Sequence, residues 1–218
     1  MHRATDAAKL AKIKSNLAYV KQSLLAEQII ILKQIHSTIV VDADNIVDFD
    51  TQIEGDGLVT TKPAIALGIV TADCVPVLLS ANDGTVVGAA HCGWKSAKDN
   101  IIANVIKLMR KKGANLFKVV MGPAISQKSY EVDEERYQDC LKADPLYEQF
   151  FKSSKRGHYL LDIPGMIIWQ LRKQHGINDI LHINEDTYTN PVKYPSHRRS
   201  QHQGEQNAHN ILSTIMIG

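Results

Sequence analysis

Residues 67–79, LGIVTADCVPVLL, consist of two apolar runs separated by Thr-Ala-Asp-Cys. Each run is apolar and short enough to be a buried strand. The connection between them places the carboxylate of Asp73 and the thiol of Cys74 inside a hydrophobic stretch. A buried carboxylate is costly unless it is paired, hydrogen-bonded or close to a metal ion. The stretch therefore predicts two buried strands with a functional or tightly bonded connection.

The sequence that follows predicts a hairpin that brings Cys74 close to His91. Asn82-Asp83-Gly84 is a strong turn signal, and residues 85–90 form a second apolar run that leads into His91. His36 likewise follows an apolar, strand-like run at residues 29–35. Two imidazoles and one thiolate would make a three-ligand metal site, and catalytic zinc sites keep a fourth position open in this way.

Other interpretations of the same residues stay open. A cysteine in an apolar run is most often a small buried hydrophobic residue. Cys74 could also be a nucleophile with His91 or His36 as its base, which would make the chain a cysteine hydrolase.

A helix predicted near residues 95–112 begins directly after His91. Free backbone N–H groups and the helix dipole favour anions at such a position, and Lys95 adds a positive charge. A metal ion beside an anion-binding position is typical of an active site that uses phosphate.

Composition limits the classes of protein to consider. With 218 residues, the chain is expected to form one domain, and its net charge of +2 argues against a dedicated nucleic-acid surface. No apolar run reaches the length of a transmembrane helix, and three cysteines are too few for a disulfide scaffold. We expect a cytoplasmic protein, monomeric or a small homo-oligomer, with no nucleic-acid or membrane partner.

Helical and strand-like patterns alternate without strict order, which predicts an α+β fold with mixed β-sheets and flanking helices. A helix is expected over residues 6–27. Further helices are expected near 132–142 and after Pro164, and strands at 38–42, 117–121, 180–183 and 211–217.

Seven segments match those of one family in order. The chain resembles the laccase-domain family, whose members are also described as polyphenol oxidases or purine nucleoside phosphorylases. The matching segments are Gln34-Ile35-His36, Gly55–Thr60, Thr71–Val77, His91–Lys95, Met121–Ile125, Tyr130–Val132 and Ser196–Arg199.

The resemblance implies a layered α/β/β/α arrangement and a metal site formed by His36, Cys74 and His91. It implies zinc as the cofactor, with copper as an alternative. The implied reaction is phosphorolysis of adenosine, with adenosine deamination and methylthioadenosine phosphorolysis alongside, so the partners would be a purine nucleoside and phosphate. Copper-dependent phenol oxidation is the alternative activity.

Several segments depart from the family pattern. Lys95-Ser96 stands where Arg-Gly is usual, and residues 204–207 replace a Gly-Arg pattern. The family's N-terminal segment is missing, so we expect residues 1–218 to form a single laccase-domain-like catalytic domain without it. These departures keep a non-enzymatic metal-binding module as an alternative.

Phosphorolysis needs an anion on one face of the ribose, and Lys95, Arg198 and Arg199 are the predicted phosphate contacts. Asp73 is predicted either to act as an acid–base group in deamination or to orient a metal ligand. A multicopper laccase would need paired histidines, and none of the nine histidines forms a His-x-His pair.

Overall fold

The computed structural model describes residues 2–48, 52–205 and 209–218. Residues 206 and 207, which depart from the family pattern, lie outside the described residues. The helices are α1 (His2–Leu24), α2 (Trp94–Lys98), α3 (Ile101–Lys111), α4 (Glu134–Ala143), α5 (Ile163–Arg172) and α6 (His197–Gln203). The strands are β1 (Gln28–Ile31), β2 (Val40–Asp42), β3 (Gly57–Thr60), β4 (Ile65–Thr71), β5 (Val75–Ala81), β6 (Val87–Cys92), β7 (Phe117–Met121), β8 (Glu131–Asp133), β9 (Phe151–Ser153), β10 (His158–Leu161), β11 (Ile177–His182) and β12 (Ile211–Ile215).

A six-stranded mixed sheet contains the predicted hairpin. Its strand order is β11-β7-β5-β6-β3-β2, and β5 pairs antiparallel with β6, with Pro76 opposite His91. The turn after β5 is closed by a hydrogen bond from the Gly84 N–H to the Ala81 carbonyl, 2.9 Å long. The pairing places Cys74, one residue before β5, next to the end of β6 that carries His91, as the sequence predicts.

A second, three-stranded sheet packs against the first. Its order is β1-β4-β12, with β4 parallel to β1 and antiparallel to β12. Apolar side chains of both sheets fill the space between them, among them Leu58, Leu67, Ile69 and Val87. A third sheet has the strand order β8-β10-β9.

Helix α3 packs on the six-stranded sheet at a position where a strand has no side chain. A Cβ at Gly88 of β6 would lie 2.8 Å from the Met109 sulfur and 2.9 Å from a Val105 methyl carbon. Glycine therefore allows the helix to approach the strand closely. Helices α2 and α5 contribute to the same core. The helices, the six-stranded sheet and the β1-β4-β12 sheet therefore form successive layers, and the predicted α+β fold is confirmed.

The prediction of a single helix near residues 95–112 is wrong, because this segment forms two helices, α2 and α3. Asn100 adopts a left-handed conformation with φ of 58°, and its side chain accepts a hydrogen bond from the Ala103 N–H. Asparagine tolerates this conformation better than most residues, and its side chain caps α3. The strand predicted at 29–35 also ends earlier, at Ile31. Among the described residues, no helix is long and apolar enough to span a bilayer.

Candidate metal centre

Three side chains from distant parts of the sequence converge at one end of the hairpin. The candidate ligand atoms of His36, Cys74 and His91 all lie within 4.8 Å of one another. The Cys74 sulfur is 3.7 Å from His36 Nε2, and the two imidazole rings meet edge to face with centroids 4.7 Å apart. Within the described part of the chain, this is the one group of histidine, cysteine or acidic residues arranged to hold a metal ion. His91 is buried and His36 exposed, so the group opens to solvent on the His36 side.

The buried carboxylate of Asp56 joins two of these ligands. Its Oδ1 lies 2.8 Å from His91 Nδ1 and accepts the His36 backbone N–H at 3.0 Å. Its Oδ2 accepts the backbone N–H and the hydroxyl of Ser37 at 2.6 and 2.8 Å, and the Ile35 N–H at 3.2 Å. One carboxylate therefore fixes both the loop that carries His36 and the ring of His91.

The charge state of Asp56 decides which nitrogen of His91 faces the other ligands. Burial alone would raise the pKa of Asp56, but hydrogen bonds from His91 and Ser37 outweigh burial and lower the pKa to about 2. The carboxylate is thus ionised near neutral pH and can only accept hydrogen bonds. His91 Nδ1 must then donate, which leaves Nε2 with its lone pair free to bind a metal ion.

The loop that carries His36 is held in a strained shape. His36 has a φ of +60°, a left-handed conformation that costs free energy for a residue other than glycine. The preceding Gln34 side chain both donates to the Val70 carbonyl at 2.7 Å and accepts from the Val70 N–H at 2.8 Å. Gln34 therefore attaches the loop to β4, and Asp56 fixes its tip.

Gly93 allows the ligands to approach each other. A Cβ at this position would lie 3.0 Å from His36 Nε2 and 3.2 Å from the Cys74 sulfur. Both contacts are tighter than a side chain normally makes, so any larger residue would push the ligands apart.

Cys74 is a poor nucleophile in this setting. Burial, and then the negative charges of Asp73 and Asp56, raise the pKa of the Cys74 thiol to about 12. Reactive cysteines need the opposite shift, which positive neighbours supply. Metal coordination removes the thiol proton directly, so the environment favours a metal ligand over the cysteine-hydrolase interpretation.

Asp73 is placed to position its neighbours. Its Oδ1 accepts the Thr187 hydroxyl at 2.6 Å and its Oδ2 accepts the Arg198 backbone N–H at 2.7 Å. Its own carbonyl accepts the Ile125 N–H at 2.9 Å, and its φ is +89°. Both carboxylate oxygens thus have partners, and Asp73 ties the Cys74 loop to the first turn of α6. These contacts fit the orienting role better than the acid–base role.

The three predicted phosphate contacts differ in their surroundings. Lys95 is exposed, and its charge contributes to lowering the pKa of His36, after the larger effects of burial and His91. The guanidinium of Arg198 lies 4.9 Å from the Tyr130 ring centroid and donates to the Glu131 carbonyl. The guanidinium of Arg199 instead donates to the carbonyls of Thr187, Tyr188 and Tyr194.

Arg199 therefore holds the 187–194 loop with both terminal nitrogens, whereas Lys95 faces solvent near His36. The anion-binding N-terminus was predicted for one long helix near residues 95–112, but it belongs to α2, which has only five residues, so its dipole is small.

Sequence reasoning assigned no role to Asp56 or Gln34. Asp56 lies between two glycines directly before a buried strand, so the cost of burying a carboxylate, applied above to Asp73, would also have indicated Asp56. Its partners could not be identified without the fold, because His91 is 35 residues away in sequence.

We expect Asp56 to make the free energy of unfolding decrease as the pH falls through the acidic range. Because the pKa is depressed on folding, its contribution is present above the unfolded value near 4 and is lost as the pH falls towards 2. The unfolding free-energy difference between wild type and Asp56→Asn should shrink by about 2 kcal/mol over that interval. Denaturant titration at pH 5, 4, 3 and 2 measures it. Asp83→Asn, in an exposed turn, should show a smaller effect, and a pH-independent difference for Asp56→Asn would contradict the expectation.

Comparison with known proteins shows which family the chain belongs to. A family profile described as multi-copper polyphenol oxidoreductase laccase matches residues 3–214. A purine nucleoside phosphorylase of Rickettsia conorii is 46% identical over 205 residues, covering 94% of this chain and 82% of that protein. One of Rickettsia prowazekii is 44% identical over 217 residues, covering 99% and 88%.

Solved structures show the same fold. A protein of Neisseria meningitidis superposes with a TM-score of 0.81 at 25% identity, covering 94% of this chain and 81% of that one. A hypothetical protein of Bacillus licheniformis also gives 0.81, at 27% identity and with 94% and 80% coverage. The resemblance seen in the sequence is thus confirmed, and the chain belongs to the laccase-like enzyme family described as multi-copper polyphenol oxidoreductase laccase.

Proposed function

We propose that this protein is a zinc-dependent purine nucleoside phosphorylase that converts adenosine and phosphate to adenine and ribose 1-phosphate. The observation that carries the proposal is the convergence of His36, Cys74 and His91 within 4.8 Å, beside the exposed cation Lys95. The names of the Rickettsia relatives, which are purine nucleoside phosphorylases, support the choice of reaction.

The donor set favours zinc over the alternatives. Two imidazoles and one thiolate, with one side open, match the ligands of catalytic zinc sites. Copper also accepts two histidines and a cysteine, but multicopper oxidation needs several metal ions, and the described residues supply one ligand group. A zinc ion bound here would supply a Lewis acid that stabilises negative charge developing on the substrate.

The side chains around the ligands suit a displacement at the ribose. In phosphorolysis, a phosphate oxygen forms a bond to the anomeric carbon while the bond to the purine nitrogen breaks, and the purine takes up the electron pair and a proton. The transition state carries positive charge on the ribose, so an anion held beside it is stabilising. Lys95 and Arg198 would hold that anion, and Asp73 would keep Arg198 in place through its backbone N–H.

The same open site would accommodate deamination of adenosine and phosphorolysis of methylthioadenosine as further activities. Deamination would need an acid–base group, for which Asp73 is the candidate nearest to Cys74 in sequence. Because both of its oxygens accept hydrogen bonds, phosphorolysis is the preferred reaction.

We expect adenosine to be cleaved only when phosphate is present. Chromatography of the products, with and without phosphate, should show adenine and ribose 1-phosphate in the first case alone. Inosine as the sole product would make the protein a deaminase, and the absence of any product would favour the non-enzymatic module. Oxidation of a phenol with added copper, without nucleoside cleavage, would favour the oxidase.

We expect about one zinc ion per chain, held by the three ligands. Elemental analysis of protein purified without added metal should show zinc in the wild type and its loss in Cys74→Ala. Cys140→Ala is the matched control, because Cys140 is buried on α4 among apolar side chains of the main core. Equal zinc in wild type and Cys74→Ala would disprove the site.

We expect Lys95→Ala to raise the KM for phosphate more than the KM for adenosine. A lost charged hydrogen bond is worth roughly 1.5–3 kcal/mol, so phosphate-limited kcat/KM should fall by about one to two orders of magnitude. Lys95→Arg should retain activity, because Arg can contact phosphate with two N–H groups. Lys111→Ala, exposed on α3, is the control. An unchanged phosphate KM in Lys95→Ala would remove Lys95 from the site.

A further inference from the structure

Arg136, on α4, has a guanidinium nitrogen without a hydrogen-bond partner. Its Nε is buried and has no hydrogen-bond partner, and no ion pair involves its side chain among the described residues. The nearby acidic groups are otherwise engaged. Asp133 accepts the Arg136 backbone N–H, Glu131 pairs with Lys155, and Glu134 accepts from Gln138 and Tyr159.

An aromatic ring lies against this guanidinium. Arg136 Cζ lies 4.7 Å from the ring centroid of Trp94, the residue that follows Gly93. Since the backbone of Gly93 borders His36 and Cys74, Trp94 places Arg136 on the same side of the molecule as the metal ligands. Contact with the ring restricts the orientation of the guanidinium.

Arg198 lies against Tyr130 and Glu131, the residues that lead into the helix that carries Arg136. The guanidinium of Arg198 stacks on the Tyr130 ring at 4.9 Å. Burial is the main cause that raises the pKa of Tyr130 to about 12, and the charges of Arg136, Cys74 and Arg198 also act on it. Arg198 also donates to the Glu131 carbonyl, and Asp133 accepts the Arg136 backbone N–H, so both arginines contact residues of β8.

A buried, unpaired N–H on a cation is costly. The unpaired Nε of Arg136, with a second arginine at the same short strand, therefore favours an anionic ligand between the two. Arginine presents planar, paired donors that match the oxygens of phosphate. We propose that Arg136 is a phosphate-binding residue, which together with Arg198 forms an anion site on the Tyr130 side of the metal ligands and holds orthophosphate for attack on the nucleoside. This inference rests on the proposed function for the identity of the anion.

The test is titration calorimetry of the purified, metal-containing protein with inorganic phosphate. We expect Arg136→Gln to weaken phosphate binding by about tenfold to a hundredfold, the range for a lost charged hydrogen bond. Arg136→Lys, which keeps the charge but loses the planar donors, should show a smaller loss. Arg172→Gln, exposed at the end of α5, should bind phosphate like the wild type.

Steady-state kinetics separates binding from structure. The phosphate KM of Arg136→Gln should rise while its adenosine KM stays within about twofold of wild type, because a structural defect would affect both. Unfolding temperature and zinc content are measured in parallel. If Arg136→Gln is unstable, Arg136→Lys supplies the comparison.

Equal phosphate affinity in wild type and both Arg136 variants, or no phosphate binding by the wild type, would overturn the inference. Failure of the proposed function is recognised separately. Wild-type protein that binds phosphate through Arg136 but does not cleave adenosine would retain the anion site and refute the phosphorylase. Phosphorolysis with an unchanged phosphate KM in the Arg136 variants would support the phosphorylase and refute the anion site at Arg136.

Discussion

The hydrogen bonds of the Asp56 carboxylate are the interaction on which the rest of the site depends. This single buried group accepts from His91 Nδ1 and from three successive backbone N–H groups of the His36 loop. It compensates the left-handed strain at His36 and fixes the tautomer of His91 at once. Without it, one ligand would be free to rotate, and the loop bearing another would lose its main attachment to the protein.

A second carboxylate performs a comparable task for the other half of the site. Asp73 precedes the ligand Cys74 and accepts the backbone N–H of Arg198. Arg198 is therefore joined directly to the loop that carries the candidate metal ligand Cys74. The two carboxylates have different roles. Asp56 hydrogen-bonds His91 and the His36 loop, and Asp73 joins the Cys74 loop to α6. Both avoid the cost of burial by accepting several hydrogen bonds each.

The sequence predicted the parts of the site that depend on local pattern. The turn signal at residues 82–84 and the apolar runs on either side of it are sufficient to place Cys74 near His91. The α+β class likewise follows from the spacing of apolar residues. The break at Asn100 was missed, since the amphipathic pattern of α3 continues backwards into α2 and only the backbone shows the left-handed cap.

The partners of the individual arginine side chains were beyond prediction. Arg198 and Arg199 are neighbours of the same type, yet the guanidinium of Arg199 is occupied by three carbonyls while that of Arg198 stacks on Tyr130. Arg136 has no sequence signature, because its significance lies in the missing partner of a buried nitrogen. Such features depend on which surfaces the fold brings together.

The most direct measurement of the central claim is X-ray absorption at the zinc edge of the protein as purified. If His36, Cys74 and His91 hold the metal ion, the spectrum should contain one sulfur at about 2.3 Å and two imidazole nitrogens at about 2.0–2.1 Å. The sulfur contribution should be absent from any metal retained by Cys74→Ala. A wild-type spectrum with only oxygen and nitrogen neighbours would contradict the account.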